Sequence, residues 1–393
     1  MSELTYLEKL LDGVKVEWQT LGKVLKRTKG TKITAGQMKA LHKDNAPLKI
    51  FAGGKTVAFV DFKDIPEKDI NREPSIIVKS RGIIEFEYYD KPFSHKNEMW
   101  SYHSNNDAIS IKYIYYFLKI NEGYFQKIGG KMQMPQIATP DTDKFEVPIP
   151  CPDNPEKSLA IQSEIVRILD KFTALTAELT AELTAELNMR KKQYNHYRDL
   201  LLSFEEGEVE WKMLGDLGEN LDSKRKPITS GLREAGSIPY YGASGIVDYV
   251  KDYIFDGDFL LISEDGANLL ARNTPIAFSI SGKSWVNNHA HVIKFDSYAE
   301  RRYVEYYLNS IDLAPYISGA AQPKLNKKNL ESIRIPNPSP EDKKRIVSIL
   351  DKFDALTNSI NEGLPREIEL RQKQYEYYRD LLFSFPRPET ASN

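Results

Sequence analysis

The chain has 393 residues, 41% of them hydrophobic and 28% charged, which is the composition of a protein that folds around a buried core. The formal net charge of −2 argues against indiscriminate nucleic-acid binding, and no apolar run approaches the roughly eighteen residues of a membrane span. The single cysteine excludes an internal disulfide and a cysteine-rich zinc site, and it is typical of the reducing cytoplasm, where we expect the protein.

The N-terminal part of the chain predicts a short helix followed by a mixed α/β domain. Residues 1–12 are charged, lack the apolar core of a signal peptide, and are expected to form a helix, at about 3–11, that packs near the C-terminus. Residues 13–150 are expected to form the first domain, with a helix at 111–120. Short apolar runs between turn residues predict strands at 48–53, 56–62, 75–80 and 82–88.

Residues 151–206 predict one long helix with an apolar stripe and charges between the apolar positions. A smaller repeat lies inside it, since Thr-Ala-Glu-Leu occurs at 176–179, 180–183 and 184–187. Four residues advance a helix by about 6 Å and turn it by about 40° more than one full turn. Adding or removing one such unit would therefore keep the leucines close to one face while moving the domain attached to the end of the helix.

The second half of the chain predicts the same order of parts. Residues 207–340 are expected to form a second mixed α/β domain, and residues 341–386 a second long helix. Gly363 and Pro365 interrupt the apolar spacing of that helix, so we expect it to be bent or split there. Residues 387–393 are expected to be a flexible tail.

An internal duplication underlies this order. Residues 161–204 align with 342–385 without a gap at a constant offset of 181, and the domains open alike with VEWQTLG and VEWKMLG. Neither helix can cover its own stripe, so each is the natural partner of the other. The predicted fold class is mixed α/β: two globular domains joined by two long antiparallel coiled-coil helices, with a pseudo-twofold internal repeat.

Known catalytic and metal-binding spacings are missing from the sequence, so we predict neither a catalytic residue nor a metal ligand. The six histidines make no HExxH or Cys/His pattern. His289 and His291 share one face of a predicted strand, and we favour a core or hydrogen-bonding role over metal binding. The chain is expected to read a ligand and to catalyse nothing.

Candidate contacts to DNA are basic and amide residues in predicted loops and strand edges. Arg and Lys can bind phosphates or guanine edges, and Asn can pair with adenine. In the first domain these are Lys26, Arg27, Lys29, Lys55, Lys79 and Arg81. In the second domain they are Lys224, Arg225, Lys226, Lys283, Asn287 and Asn288.

Taken together, these features resemble the DNA-specificity subunit of a type I restriction–modification system. The resemblance covers essentially the whole chain and is carried by the domain–helix repeat, the VEWxxLG openings and two helix signatures. These signatures are IVxxLDKF and the KQY…YRDLLxSF pattern near the end of each helix. The TAEL run and the preceding CPDNPEKSLAIQSEIVRILDKF resemble the IC subfamily in particular.

The resemblance implies a division of labour. Two target-recognition domains would each read one half of an asymmetric bipartite site in double-stranded DNA, while the helices set the unread spacer and dock two methyltransferase subunits. Restriction subunits that cleave and translocate DNA would join that core. S-adenosylmethionine, ATP and Mg are then expected on those partners, and no cofactor is expected on this chain.

Two other functions are compatible with parts of the sequence. A coiled-coil scaffold could display two modules for ligands other than DNA, and it would show no salt-dependent DNA binding. A self-contained modification enzyme would methylate or cut DNA without partners. The duplicated pattern favours the specificity subunit over both.

Overall fold

A computed structural model describes residues 6–130, 134–205, 207–319, 322–358 and 363–387. They belong to two compact units, the first made of Met1–Ala181 with Glu369–Asn393 and the second of Glu182–Ile368. Both predicted long helices therefore contribute residues to both units. None of the described helices combines the length and the apolar character of a membrane span.

In its described residues, the first unit contains two sheets and a separate strand pair. One sheet has the order β2-β8-β5-β6, another has the order β4-β3-β7, and β1 pairs with β9. The strands are β1 (Val16–Thr20), β2 (Lys26–Thr28), β3 (Leu48–Phe51), β4 (Val57–Val60), β5 (Ser75–Lys79), β6 (Glu85–Tyr89), β7 (Phe93–His95), β8 (Trp100–His103) and β9 (Glu146–Pro150). Each of the four predicted strand runs overlaps a strand. The strand predicted at 82–88 ends at Tyr89 and begins only at Glu85, because the chain turns at Gly82, whose φ is +80°.

The helices of the first unit surround these sheets. They are α1 (Tyr6–Leu11), α2 (Leu21–Val24), α3 (Ala35–Leu41), α4 (Ile111–Ile120), α5 (Glu122–Gly129), α6 (Thr139–Asp143) and the first part of α7 (Pro155–Leu202). The predicted helix at 111–120 coincides with α4. Of the predicted N-terminal helix, residues 3–5 lie outside the described residues, as do residues 388–393 of the predicted tail. Leu7 and Leu11 of α1 belong to the same buried core as Phe383 and Phe385.

The second unit repeats this plan with its own strand lengths. Its sheets have the orders β11-β18-β15-β16 and β13-β12-β17-β14, and β10 pairs with β19. The strands are β10 (Glu210–Met213), β11 (Glu219–Asn220), β12 (Ala235–Gly242), β13 (Gly245–Val250), β14 (Phe255–Asp256), β15 (Phe259–Ser263), β16 (Ala277–Ile280), β17 (Lys283–Val286), β18 (Ala290–Lys294) and β19 (Arg334–Asn337). The helices are the end of α7, α8 (Leu214–Leu217), α9 (Asn268–Ala271), α10 (Tyr298–Ser310), α11 (Lys327–Glu331), α12 (Pro340–Asn358) and the start of α13 (Leu364–Leu382).

Matching contacts show that the units are copies of one design. Trp18 lies opposite Pro148 in the β1–β9 pair, and Trp211 lies opposite Pro336 in the β10–β19 pair. Ser110 caps α4 and Ser297 caps α10, each by accepting a hydrogen bond from a backbone N–H three residues later. The predicted fold class, mixed α/β with an internal repeat, is confirmed.

The long helices run antiparallel within each unit. In the first unit, Phe172 of α7 stacks on Tyr378 of α13 with ring centroids 5.5 Å apart. In the second unit, Tyr197 of α7 stacks on Phe353 of α12 at 5.6 Å. The direction of packing follows because Leu202, at the end of α7, belongs to the same core as Ile346, near the start of α12.

The predicted interruption of the second long helix is present. α12 ends at Asn358 and α13 begins at Leu364, while residues 359–362 lie outside the described residues. Gly363 has a φ of +80°, a backbone conformation that favours glycine. Pro365 lies in the first turn of α13, where a backbone N–H has no partner within the helix, so the N–H that proline lacks is not needed there. A Cβ added to Gly363 would lie 2.6 Å from the backbone oxygens of Ala355 and Leu356.

We therefore expect Gly363→Ala to destabilise the second unit by about 3 kcal/mol, since it combines a left-handed backbone with a steric clash. Gly282→Ala is the matched control, because Gly282 has a φ of +78° and open space around its Cβ position. That control should cost only about 1.5 kcal/mol. Urea unfolding of both variants gives the comparison, and equal losses would contradict the steric part of this account.

Candidate nucleic-acid interface

A basic groove lies on one side of the first unit. We define it by Lys26, Arg27, Lys29, Lys32, Lys68 and His103, which line one concave surface. β2 and the loop after it supply the first four, a 3-10 turn at Glu67–Asp69 supplies Lys68, and β8 ends in His103. The four lysines are exposed to solvent. Asp64 and Asp69 also line the groove, so its charge is reduced but remains positive.

Close packing holds the loop after β2 in place. Gly30 lies against His95, and a Cβ at this position would be 2.4 Å from the His95 backbone oxygen. The backbone N–H of Thr31 donates to the same oxygen at 2.7 Å. The lysines on either side of this point therefore start from a fixed backbone, which orients their side chains toward the groove.

Arg27 is partly neutralised at the edge of the groove. Its guanidinium forms an ion pair with Asp143, and the Tyr102 hydroxyl donates to the other oxygen of that carboxylate at 2.5 Å. Burial and this hydrogen bond together raise the pKa of Tyr102 well above its ordinary value. Arg27 retains about two fifths of its side-chain exposure, so the ion pair positions the group without hiding it.

The other predicted residues of the first unit lie outside the groove. Lys55 is exposed in the turn between β3 and β4, and Arg81 is exposed where its backbone bridges to Gln136. Lys79 is buried on β5, with its ammonium 2.6 Å from Glu85 and 2.8 Å from Glu87. An ammonium held in this way is not presented to a phosphate, so we do not retain Lys79 as a candidate contact.

In the second unit the predicted residues lie at the two ends of β17 and in the loop that follows β11. Trp285 of β17 donates to the Lys226 carbonyl oxygen at 2.6 Å, which fixes the loop beside that strand. Asn287 and Asn288 come directly after β17, and Lys283, at its start, lies 4.6 Å above the Tyr253 ring. Exposed side chains are those of Lys224, Lys226, Lys283 and Asn288, whereas Asn287 is buried and accepts a hydrogen bond from the His289 backbone.

Arg225 has a different place from its lysine neighbours. Its guanidinium lies 2.7 Å from Glu264 and 3.3 Å from Asp222, and it also donates to the Ala290 carbonyl oxygen at 2.8 Å. Only 12% of the side chain is exposed. Arg225 therefore neutralises two largely buried carboxylates, and we do not retain it as a DNA contact.

His291 completes this buried cluster. One ring nitrogen lies 2.6 Å from Asp222 and the other 2.7 Å from the Leu325 carbonyl oxygen. Burial alone would raise the pKa of the Asp222 carboxyl, but the hydrogen bond from His291 and the nearby Arg225 charge lower it overall. The pKa of Glu264 is likewise lowered, because Arg225 and Lys324 outweigh its burial.

Asp222, Glu264 and His291 are close enough to hold a metal ion, with ligand atoms within 4.8 Å of one another. However, the Arg225 guanidinium and the Lys324 ammonium already contact these carboxylates. A divalent cation would have to displace both positive groups, so the cluster does not fit a metal. Both predicted histidines make hydrogen bonds, since His289 also contacts Asp265 at 2.8 Å, but only His291 lies within β18.

Comparison with known proteins identifies the family. The family described as "Type I restriction modification DNA specificity domain" matches residues 15–189 and again residues 206–370. The chain belongs to this family. It recognises DNA sequence within a restriction–modification complex, and it can be called a specificity subunit.

Relatives of full length support this assignment. The specificity subunit is 42% identical to the EcoR124I/EcoR124II specificity subunit of Escherichia coli, with all of both chains covered. It is 39% identical to the EcoprrI specificity subunit of the same species, over 92% of this chain and 93% of that one. Its fold is similar to that of a type I S subunit from M. genitalium, with a TM-score of 0.52, 17% identity, and 98% and 100% of the two chains covered.

Reasoning from sequence missed three members of the basic groove. Lys32 carried a usable signal, because Lys26, Arg27, Lys29 and Lys32 fall within seven consecutive residues. Lys68 and His103 carried none, since only the tertiary fold brings their loops to the groove. The predicted contacts that remain exposed stay predictions of DNA binding.

If the groove binds phosphates, replacing Lys29, Lys32 and Lys68 by Ala should make DNA binding less sensitive to salt. The slope of log K against log salt should fall by about 2.7, because each phosphate contact contributes about 0.9. Lys23, Lys91 and Lys127 form the matched control, since they are exposed lysines of the same unit that do not line the groove. Equal slopes for the two triple variants in a salt titration would exclude the groove as the phosphate-binding surface.

The Arg225 cluster generates a prediction about stability and pH. Arg225→Met should cost about 3 kcal/mol at pH 7, because it leaves buried Asp222 and Glu264 without their shared cation. Lys224→Met, a change of equal charge at an exposed position, should cost little.

The pKa values of Asp222 and Glu264 are lowered in the folded protein, so their ionisation stabilises it above pH values of about 4 to 5. This contribution should be lost as the pH falls through the folded-state pKa values. In Arg225→Met the acid-dependent loss should be smaller, since less of that stabilisation exists at pH 7. Urea unfolding at pH 7 and at about pH 2.5, below the ordinary carboxyl pKa values, measures both effects. Identical pH dependence in wild type and Arg225→Met would contradict the assignment.

Proposed function

We propose that each domain of this specificity subunit reads one half of an asymmetric bipartite site in double-stranded DNA, and that the long helices set the unread spacer. The proposal is supported by the repeat, because the two units share equivalent strand pairs but present different side chains at the surface. The strand pairs β1–β9 and β10–β19 correspond. The first unit has the basic groove, whereas the exposed predicted contacts of the second unit, Lys224, Lys226, Lys283 and Asn288, lie on or beside β17. Two surfaces of one design suit two different half-sites.

The repeated helix ends support docking of two like partners. Tyr378 of the first unit and Tyr197 of the second occupy equivalent positions, and both are exposed. Tyr377 and Leu200 beside them are more than three fifths exposed. Large exposed apolar side chains on a repeated helix are typical of a protein-binding surface. We infer that two methyltransferase subunits bind here, one at each copy, and that restriction and translocase subunits join that core.

Catalysis is assigned to those partners in this proposal. S-adenosylmethionine would bind to the methyltransferase subunits, and ATP with Mg to the restriction subunits. The TAEL run and the sequence before it support placement in the IC subfamily. The substrate is DNA, and the single cysteine suits a reducing environment, so we place the assembly in the cytoplasm.

Genome-wide mapping of adenine methylation tests the proposal. Cells would express this chain with a matching modification subunit, and co-purification would confirm assembly. A single asymmetric motif, made of two short half-sites around a fixed spacer, is the expected result. An assembled complex that methylates nothing and binds DNA without salt dependence would instead favour a scaffold for other ligands.

The TAEL run provides a prediction about the spacer. α7 is continuous through all three TAEL repeats, and the leucines of these repeats, at 179, 183 and 187, are half-buried on one face of the helix. Deleting residues 184–187 should therefore keep the apolar stripe, shorten the helix by about 6 Å and rotate the rest of the helix by about 40°. The mapped motif should keep both half-sites and change its spacer length. Altered half-sites around an unchanged spacer would contradict this role of the helix.

A further inference from the structure

A polar cluster joins three helices of the first unit. We call it the first anchor and define it by Lys112, Tyr116, Asp170, Thr173 and Tyr375. The Tyr116 hydroxyl of α4 donates to one oxygen of Asp170 on α7 at 2.5 Å, and the Lys112 ammonium donates to the other at 2.7 Å. One turn further along α7, the Thr173 hydroxyl lies 3.1 Å from the Tyr375 hydroxyl of α13.

The second unit contains an equivalent cluster. This second anchor comprises Arg302, Tyr306, Asp351, Asp354 and Tyr194. The Tyr306 hydroxyl of α10 donates to Asp351 of α12 at 2.6 Å, and Arg302 donates to the same carboxylate at 3.0 Å. Arg302 also contacts Asp354 at 3.3 Å and donates to the Tyr306 hydroxyl.

The two anchors correspond residue by residue. Asp170 and Thr173 are equivalent to Asp351 and Asp354, because the helices repeat at an offset of 181 residues. The same offset makes Tyr194 equivalent to Tyr375. Lys112 and Tyr116 are equivalent to Arg302 and Tyr306, at an offset of 190 residues. The neighbouring ring stacks, Phe172 on Tyr378 and Phe353 on Tyr197, are equivalent too. The domains differ in strand lengths and in surface charge, yet in both copies a tyrosine and a cation of the domain helix donate to an aspartate of a long helix.

Hydrogen bonds to a carboxylate constrain orientation in a way that apolar contacts do not. An apolar seam can slide or rotate at small cost, whereas two donors that converge on one carboxylate are satisfied at one azimuth and one register. In each unit the donors come from the domain helix and the acceptor from a long helix. Burial raises the pKa of Tyr116, and its hydrogen bond to the Asp170 carboxylate raises the pKa further. Burial likewise raises the pKa of Tyr306, so both hydroxyls stay protonated and can donate.

We infer that Asp170 and Asp351 are positioning residues that hold each recognition domain at one orientation on its long helices and thereby give the specificity subunit its spacer fidelity. The inference rests on the proposed bipartite function. A domain that can pivot on its helix reaches a half-site at the wrong distance with less strain, so loosening an anchor should weaken discrimination between spacers while leaving the reading of each half-site unchanged.

The test uses the assembled complex with Tyr116→Phe, Tyr306→Phe and the double variant. Binding is measured on duplexes that carry both mapped half-sites with the mapped spacer, or with one base pair more or fewer, and on duplexes with a single half-site. We expect each single variant to lose about tenfold of the discrimination between spacers, the scale of one charge-assisted hydrogen bond, and the double variant to lose more. Single half-site affinities should be unchanged.

Matched controls separate positioning from a general loss of packing. Tyr115→Phe and Tyr307→Phe remove hydroxyls from the same helices that make no hydrogen bond within the described part of the chain. Lys112→Arg installs the second copy's residue in the first anchor and should preserve discrimination, whereas Lys112→Met should reduce it. Thermal unfolding of each complex is recorded alongside.

Different results overturn different claims. If Tyr116→Phe and Tyr306→Phe weaken binding to every duplex in parallel, or lower only the melting temperature, the anchors merely stabilise the fold and the inference is wrong. A wild-type preference for the mapped spacer that survives in both variants overturns the inference alone. A wild-type complex with no spacer preference overturns the proposed function and the inference together.

Discussion

The apolar stripe along α7 is the constraint on which the rest of the structure depends. A 48-residue helix cannot cover its own stripe, so other parts of the chain must do so. In the first unit Ile161, Ile165 and Leu169 enter a core that Leu382 and Phe383 of the C-terminal segment complete. In the second unit Leu202 enters a core that α12 completes. The larger core of each domain therefore includes residues of the long helices, whereas smaller clusters, such as those around Leu48 and Leu261, do not.

This dependence makes the duplication informative about the fold. The offset of 181 pairs Phe172 with Phe353 and Tyr197 with Tyr378, and these are the rings that stack in the two units. Predicting the long helices, their antiparallel packing and the break at Gly363 needed only periodicity, repetition and the known effects of glycine and proline. The sequence was sufficient because each of these features is set by a local pattern or by the match between the two repeated segments.

The candidate site could be predicted only in part, because the role of a cation depends on the groups that the fold places beside it. Arg225 lies between two exposed lysines in the sequence, yet it turns inward to Asp222, three residues earlier, and to Glu264, which directly follows the distant strand β15. Lys79 meets Glu85 and Glu87 because β5 and β6 pair in one particular register. Lys68 enters the groove through a loop that no motif marks. The composition of these loops can be read locally, but the pairing of their charges is a tertiary property.

On the proposed function, the overall charge of the chain gives a bipartite arrangement a physical advantage. The net charge is −2, while residues 13–150 carry 22 basic and 16 acidic side chains, so attraction to DNA is local to the first domain and weak over the whole chain. Weak general attraction means that affinity must come from both domains acting on one duplex, where the first contact raises the effective concentration of the second. On the proposed function, this gain exists only when the half-sites match the distance and angle that the helices impose. Rigidity in the helices and in the contacts that join them to each domain would then act as part of sequence recognition, although no side chain touches the spacer bases.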